Sequence, residues 1–202
     1  DERIPVISVT KGMLDYEDGT MQTYPEYWTS KLPEGSKQEI YAIGGPCTAR
    51  DLADHDPSFV GYCGPKMETL RWIRSLFATD YYVISLTLDV VGLECAVALK
   101  NGYALGTALA IGMAEKAGDD GINHNNSEAA LFQESVKEML DLLKIVGGGV
   151  DNIMYAAGDL NVTVAAGRSR TVGLLLGKGL SIDEVMEQLK GQTLEAVVIA
   201  TR

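Results

Sequence analysis

Cysteine is scarce in this sequence: Cys47, Cys63 and Cys95 are its only three in 202 residues. An odd number with no CxxC pair argues against a disulfide framework or a zinc site and favours a reducing cytoplasm. Histidine is scarcer still. His55 and His124 stand far apart in polar stretches without ligand spacing, so no metal is expected. Basic residues are outnumbered 17 to 28, and the formal net charge of -11 argues against a nucleic-acid or anionic-membrane surface. An anionic substrate would therefore need a local cationic pocket. No uncharged run spans a bilayer; the longest, "NGYALGTALAIGMA" (Asn101 to Ala114), falls short of the roughly 20 residues a spanning helix needs. No signal peptide is visible. The chain opens on "DERIPVISVTKG" without a methionine and enters a strand at once, which reads as a fragment or a processed chain.

What is present reads as α/β followed by all-α. Ile4 to Val9, Ile40 to Gly45, Ser58 to Cys63 and Tyr81 to Leu86 are short β-branched or aromatic runs with strand character. Between the last two, Met67, Leu70, Ile73 and Phe77 fall at helical spacing, which completes a strand-helix-strand unit. Beyond Leu86 the strand signal stops. Val90 to Ala117 is apolar, with Gly102, Gly106 and Gly112 offering close approach to neighbouring helices. Ser127 to Val146 is amphipathic and is stopped by Gly147 to Gly149. Ser181 with Glu184 forms a capping box for a last helix. The domains expected are a partial dinucleotide-binding unit over 1–86 and a helical unit over 87–202. One feature is missing: no GxGxxG turn and no Walker A motif occurs, so the first unit looks like the later half of a Rossmann domain.

Chemistry concentrates in four stretches. "SVTKG" places Lys11 directly after a strand, where an α/β sheet faces its ligand crevice. "GGPCTARDLA" is a strand-to-helix turn at the same edge. "DVVGLECAVALKN" carries Lys100 and Asn101 near the end of an apolar helix. "GDLNVTVAAGRSR" spaces Asp159, Thr163, Arg168 and Ser169 through an apolar run, a pattern that neither a core helix nor a solvated surface needs.

In this order the stretches resemble the NAD-dependent glycerol-3-phosphate dehydrogenase family, from Ile4 to about Ala200. The resemblance implies a partial Rossmann-type domain and a helical substrate domain of the 6-phosphogluconate dehydrogenase C-terminal type. It implies an oxidoreductase that interconverts sn-glycerol 3-phosphate and dihydroxyacetone phosphate with NAD or NADP. Lys100 matches the catalytic lysine, Lys11 and Asp159 its companions. Asn101, Thr163, Arg168 and Ser169 fall on the substrate side, and Ala49, Arg168 and Glu195 on the dinucleotide side. The chain departs from the family where Ser169 replaces an asparagine, Asn125 an aspartate and Glu134 an arginine. These departures leave open another small polyol phosphate or hydroxy acid as substrate. A non-catalytic helical remnant is the reading from a different class. The long Gly/Ala-rich helix could serve a homodimer.

The residue types suit the chemistry on their own account. Reducing a ketone by hydride transfer develops negative charge on its oxygen, which a positioned ammonium stabilises and protonates. A guanidinium presents a planar fork to a phosphate.

Overall fold

The computed structural model describes residues 4–118 and 125–192. Four strands form the main sheet: β1 (Val6–Ser8), β4 (Ile40–Gly44), β5 (Ser58–Cys63) and β6 (Tyr82–Thr87), side by side in that order. Its core is Tyr41, Val60, Tyr62, Leu70, Ile73 and Ile84. Leu70 and Ile73 come from α3 (Met67–Phe77), the helix expected from the 3.6-residue spacing.

The pairing is mixed. β1 runs parallel to β4 and β5 parallel to β6, but β4 and β5 are antiparallel, with Ala42 opposite Cys63 and Gly44 opposite Gly61. The linkers give the reason. The five residues of α2 (Ala49–Ala53) stay near one edge and turn the chain straight back, whereas α3 carries it across the sheet to re-enter in the same direction.

Between β1 and β4 lie elements absent from the sequence expectation. A hairpin pairs β2 (Met13–Asp15) with β3 (Met21–Thr23) and turns at Gly19, whose φ of +80° suits glycine. Asp18 Oδ1 tightens the turn by accepting from the backbone N–H and hydroxyl of Thr20. The helix α1 (Tyr24–Ser30) follows at once, started by a reciprocal capping box between Thr23 and Glu26.

Beyond β6, every described element is helical. α4 (Val90–Lys116) is the central rod, packed by α5 (Asn125–Ile145), α6 (Ile153–Ala166) and α7 (Arg168–Gly177), while α8 (Ile182–Gln188) caps α7. Its residues are apolar all round because it is covered on several sides. Ala96 and Ala104 meet Met139, Leu143, Ala156 and Leu160 from α5 and α6. Leu93 and Val97 meet Ala42 and Cys63 from the sheet. α4 thus belongs to both halves of the molecule.

Candidate active site

Two parallel strands end side by side, β1 before Lys11 and β4 before Gly45, and the middle of α4 and the α6–α7 junction face them. Between these parts opens a cleft of about 490 Å³. Lys11, Lys100, Asn101, Thr163, Arg168 and Ser169 all line it, although 68 positions separate Lys100 from Arg168. Tyr24 adds a wall from α1.

Asp159 holds two of the lysines that line the cleft. It is 3% exposed, one oxygen accepting from Lys100 Nζ and the other from Lys11 Nζ at 2.7 Å. Lys11 also donates to the carbonyl oxygen of Gly45 at 2.8 Å, which fixes the post-strand loop against the sheet edge. Two ammoniums on one carboxylate leave net positive charge beside the cleft. Lys100 is 8% exposed, and burial holds its ammonium below the ordinary lysine range. Asp159 opposes that shift and the charge of Lys11 reinforces it. A buried ammonium with a lowered pKa is suited to give up and recover a proton.

The α6–α7 junction supplies the other end. Gly167 separates the helices, and a Cβ there would lie 2.6 Å from the Thr163 carbonyl oxygen, so the turn needs glycine. Arg168 follows as the first residue of α7, exposed at the cleft. A guanidinium beside a helix N-terminus attracts anions twice over. Ser169 is buried and reaches Asn101 Oδ1 at 3.4 Å. Thr163 lines the cleft, but its hydroxyl donates to the Asp159 carbonyl one turn earlier (2.7 Å). It must turn away from its own helix before it can serve a phosphate.

Two expected residues are elsewhere. Ala49 is exposed at the start of α2, on the sheet edge that carries Gly45 but outside the cleft lining. Glu195 lies outside the described residues. Among the described residues no group of three or more His, Cys, Asp or Glu side chains could hold a metal, and no helix is long and apolar enough to cross a membrane. Tyr24, the Gly45 carbonyl and the buried Glu94 escaped the sequence reading. The "TYPE" capping box ahead of α1 was the available signal for the first; nothing in the sequence marks the other two.

Residues 89–202 match the family model described as the C-terminus of NAD-dependent glycerol-3-phosphate dehydrogenase. The chain belongs to this dehydrogenase family. It is similar to the NADP(+)-dependent glycerol-3-phosphate dehydrogenase of Archaeoglobus fulgidus, 30% identical over 187 residues, which are 92% of this chain and 54% of that protein. A glycerol-3-phosphate dehydrogenase [NAD(P)+] of Enterococcus faecalis is 31% identical over 196 residues, covering 95% and 54% of the two chains. Among solved structures, glycerol-3-phosphate dehydrogenase from Saccharomyces cerevisiae superposes with a TM-score of 0.81 at 24% identity, over 98% of this chain and 57% of that one. The chain therefore spans about half the length of the curated relatives it matches. The dehydrogenase fold order, strands and helices followed by helices alone, is the one expected from the sequence.

Proposed function

We propose that the chain carries the substrate and proton-transfer site of an oxidoreductase interconverting sn-glycerol 3-phosphate and dihydroxyacetone phosphate with NAD or NADP. The observation that carries the reading is one cleft holding the Lys100–Asp159–Lys11 cluster and, at its other side, Arg168 on a helix N-terminus. Relatives named as NAD(P)+- and NADP(+)-dependent enzymes support the cofactor class. In this reading residues 1–86 form the dinucleotide side and 87–202 the substrate side. The cleft volume suits a three-carbon phosphate and the reactive ring, and the exposed Ala49 turn lies along the sheet edge where a dinucleotide would pass.

When bound, the reduced nicotinamide supplies a hydride to the carbonyl carbon. Lys100 donates its proton to the carbonyl oxygen as the C=O double bond becomes a C–OH single bond; in reverse, neutral Lys100 takes that proton back. Asp159 holds the ammonium in place, and Lys11 adds positive charge beside the developing oxyanion. Arg168 takes the phosphate, with Asn101 and Ser169 steadied against each other nearby. The three free thiols fit a cytoplasmic compartment. The Gly/Ala-rich α4, expected to serve a homodimer, is instead covered by α5, α6 and α7; Ile145, Val146, Val150 and Met154, exposed around the α5–α6 turn, offer an apolar face for a homodimer, which sedimentation would reveal.

Oxidation of NADH and NADPH by the full-length protein, followed with dihydroxyacetone phosphate and with unphosphorylated dihydroxyacetone, tests the reading. Turnover of the phosphorylated ketone at far lower KM is expected. Activity on neither, or equal activity on both, would overturn the assignment.

A further inference from the structure

Glu94 is the most unusual buried group outside the cleft. It sits on α4, two turns before Asn101 and on the same face, with 0% exposure. Neither carboxylate oxygen has a hydrogen-bond partner. A charge so placed cannot persist unless a cation compensates it or a proton neutralises it. The cation within electrostatic reach is Lys11, whose ammonium already contacts Asp159 and the Gly45 carbonyl. Lys11 therefore serves two carboxyl groups, in contact with Asp159 and acting on Glu94 through space.

We propose that Glu94 is a positioning residue that couples anion binding to proton uptake: when an anion enters the cleft and draws on the charge of Lys11, Glu94 takes a proton from solvent. One O–H bond forms on the carboxylate as one breaks in a solvent water or buffer acid, whose conjugate base stays in solution. Burial raises Glu94 to about 8, against the opposing pull of Lys11, so the exchange falls in an accessible range. The other titratable groups around it do not replace this function. The thiols of Cys63 on β5 and Cys95 on α4 are pushed up by burial and stay neutral there. Asp159 on α6 is bound to two ammoniums, and Lys100 is itself buried. Tyr155 on α6 packs against Leu93 and the sheet. Glu26 on α1 is held in its capping box.

The inference rests on the anion-site reading above. The probe is sulfate, which keeps two charges from pH 7 to 9, titrated calorimetrically into the full-length protein in buffers of different ionisation enthalpy. The expected result is uptake of a fraction of a proton that grows above pH 8, with Kd rising by up to tenfold per pH unit, the limit for one linked proton. In Glu94→Gln the uptake should shrink to the Lys100 contribution, and Kd at pH 9 should lie up to tenfold below that of the wild type. Should the Gln variant not fold, the infrared C=O band of a protonated carboxyl must grow when sulfate is added to the wild type at pH 9. Uptake that is undiminished in Glu94→Gln, a wild-type Kd independent of pH, or no such band overturns the coupling and leaves the anion site standing. Absence of sulfate binding in both proteins overturns the anion site and the coupling with it.

Discussion

Asp159 holds two ammonium groups apart with one carboxylate, so its removal exposes their repulsion. Asp159→Asn should cost about 3–5 kcal/mol in denaturant unfolding, the range for breaking a buried ion pair from one side; a loss under 1 kcal/mol would mean solvent already reaches the cluster. Lys100→Ala should lower kcat by roughly 10²-fold with KM moving less, as for a general acid-base group. Near-normal turnover in the folded variant would remove Lys100 from proton transfer. Arg168→Lys should raise KM for the phosphorylated ketone and leave the unphosphorylated one unchanged, since a point charge replaces a fork. Equal losses on both substrates would move Arg168 to the cofactor side. Glu94 predicts a pH dependence of stability. Its carboxyl is raised from 4.5 to about 8, so its contribution is fully present below 4.5 and is lost as pH rises through about 8. Glu94→Gln should therefore gain on the wild type across that window, by about 1.4 kcal/mol per pH unit. Parallel stability curves for the two proteins would contradict the burial argument. The sequence exposed Lys100, Asp159 and Arg168 because charge is rare in their apolar surroundings. It could not expose Glu94: its unpartnered state depends on what packs over α4, and "GLECAV" alone does not say.

At the scale of elements, α4 and α7 meet through glycine. An added Cβ would stand 2.3 Å from the Leu105 carbonyl oxygen at Gly173, 2.2 Å from the Leu109 carbonyl oxygen at Gly177, and 2.3 Å from the Leu174 carbonyl oxygen at Gly112. These obstacles are backbone, which does not yield as a side chain would. Gly177→Ala should lower the thermal midpoint despite the better helix propensity of alanine, with overpacking costing about 1–3 kcal/mol. A rise in midpoint would show that the helices can part cheaply. Of the glycines that recur in α4, Gly112 makes the close approach and Gly106 meets nothing within 4 Å, while the partners Gly173 and Gly177 stand outside the sequence expectation. The β2–β3 hairpin was missed because its strands are three residues each, too short to show an alternating pattern. The antiparallel β4–β5 pair depends on linker length, which strand patterns do not report.

For the whole molecule, the shared helix α4 predicts one unfolding event. Leu93 and Val97 belong to the sheet-side core and Ala96 and Ala104 to the helical core, so neither half can lose its packing without disturbing the other. Trp28 and Trp72 both lie before α4, whereas most helix lies in and after it. Tryptophan fluorescence and far-ultraviolet circular dichroism should therefore trace coincident denaturant transitions. Two separated midpoints would divide the chain into independent units.

Under the proposed function, the glycine seam between α4 and α7 would also make the cleft a gauge of substrate length. Lys100 rides on one rod and Arg168 starts the other, and backbone in contact with backbone keeps the rods at one separation. A side chain could lean to admit a longer molecule; this spacing cannot stretch by the length of a carbon–carbon bond without breaking the seam. A keto phosphate with one more carbon between carbonyl and phosphate should still dock its phosphate on Arg168, yet bring its carbonyl oxygen past the ammonium of Lys100. It should then inhibit competitively and turn over poorly, whereas equal turnover of the two lengths would show that the gauge is slack.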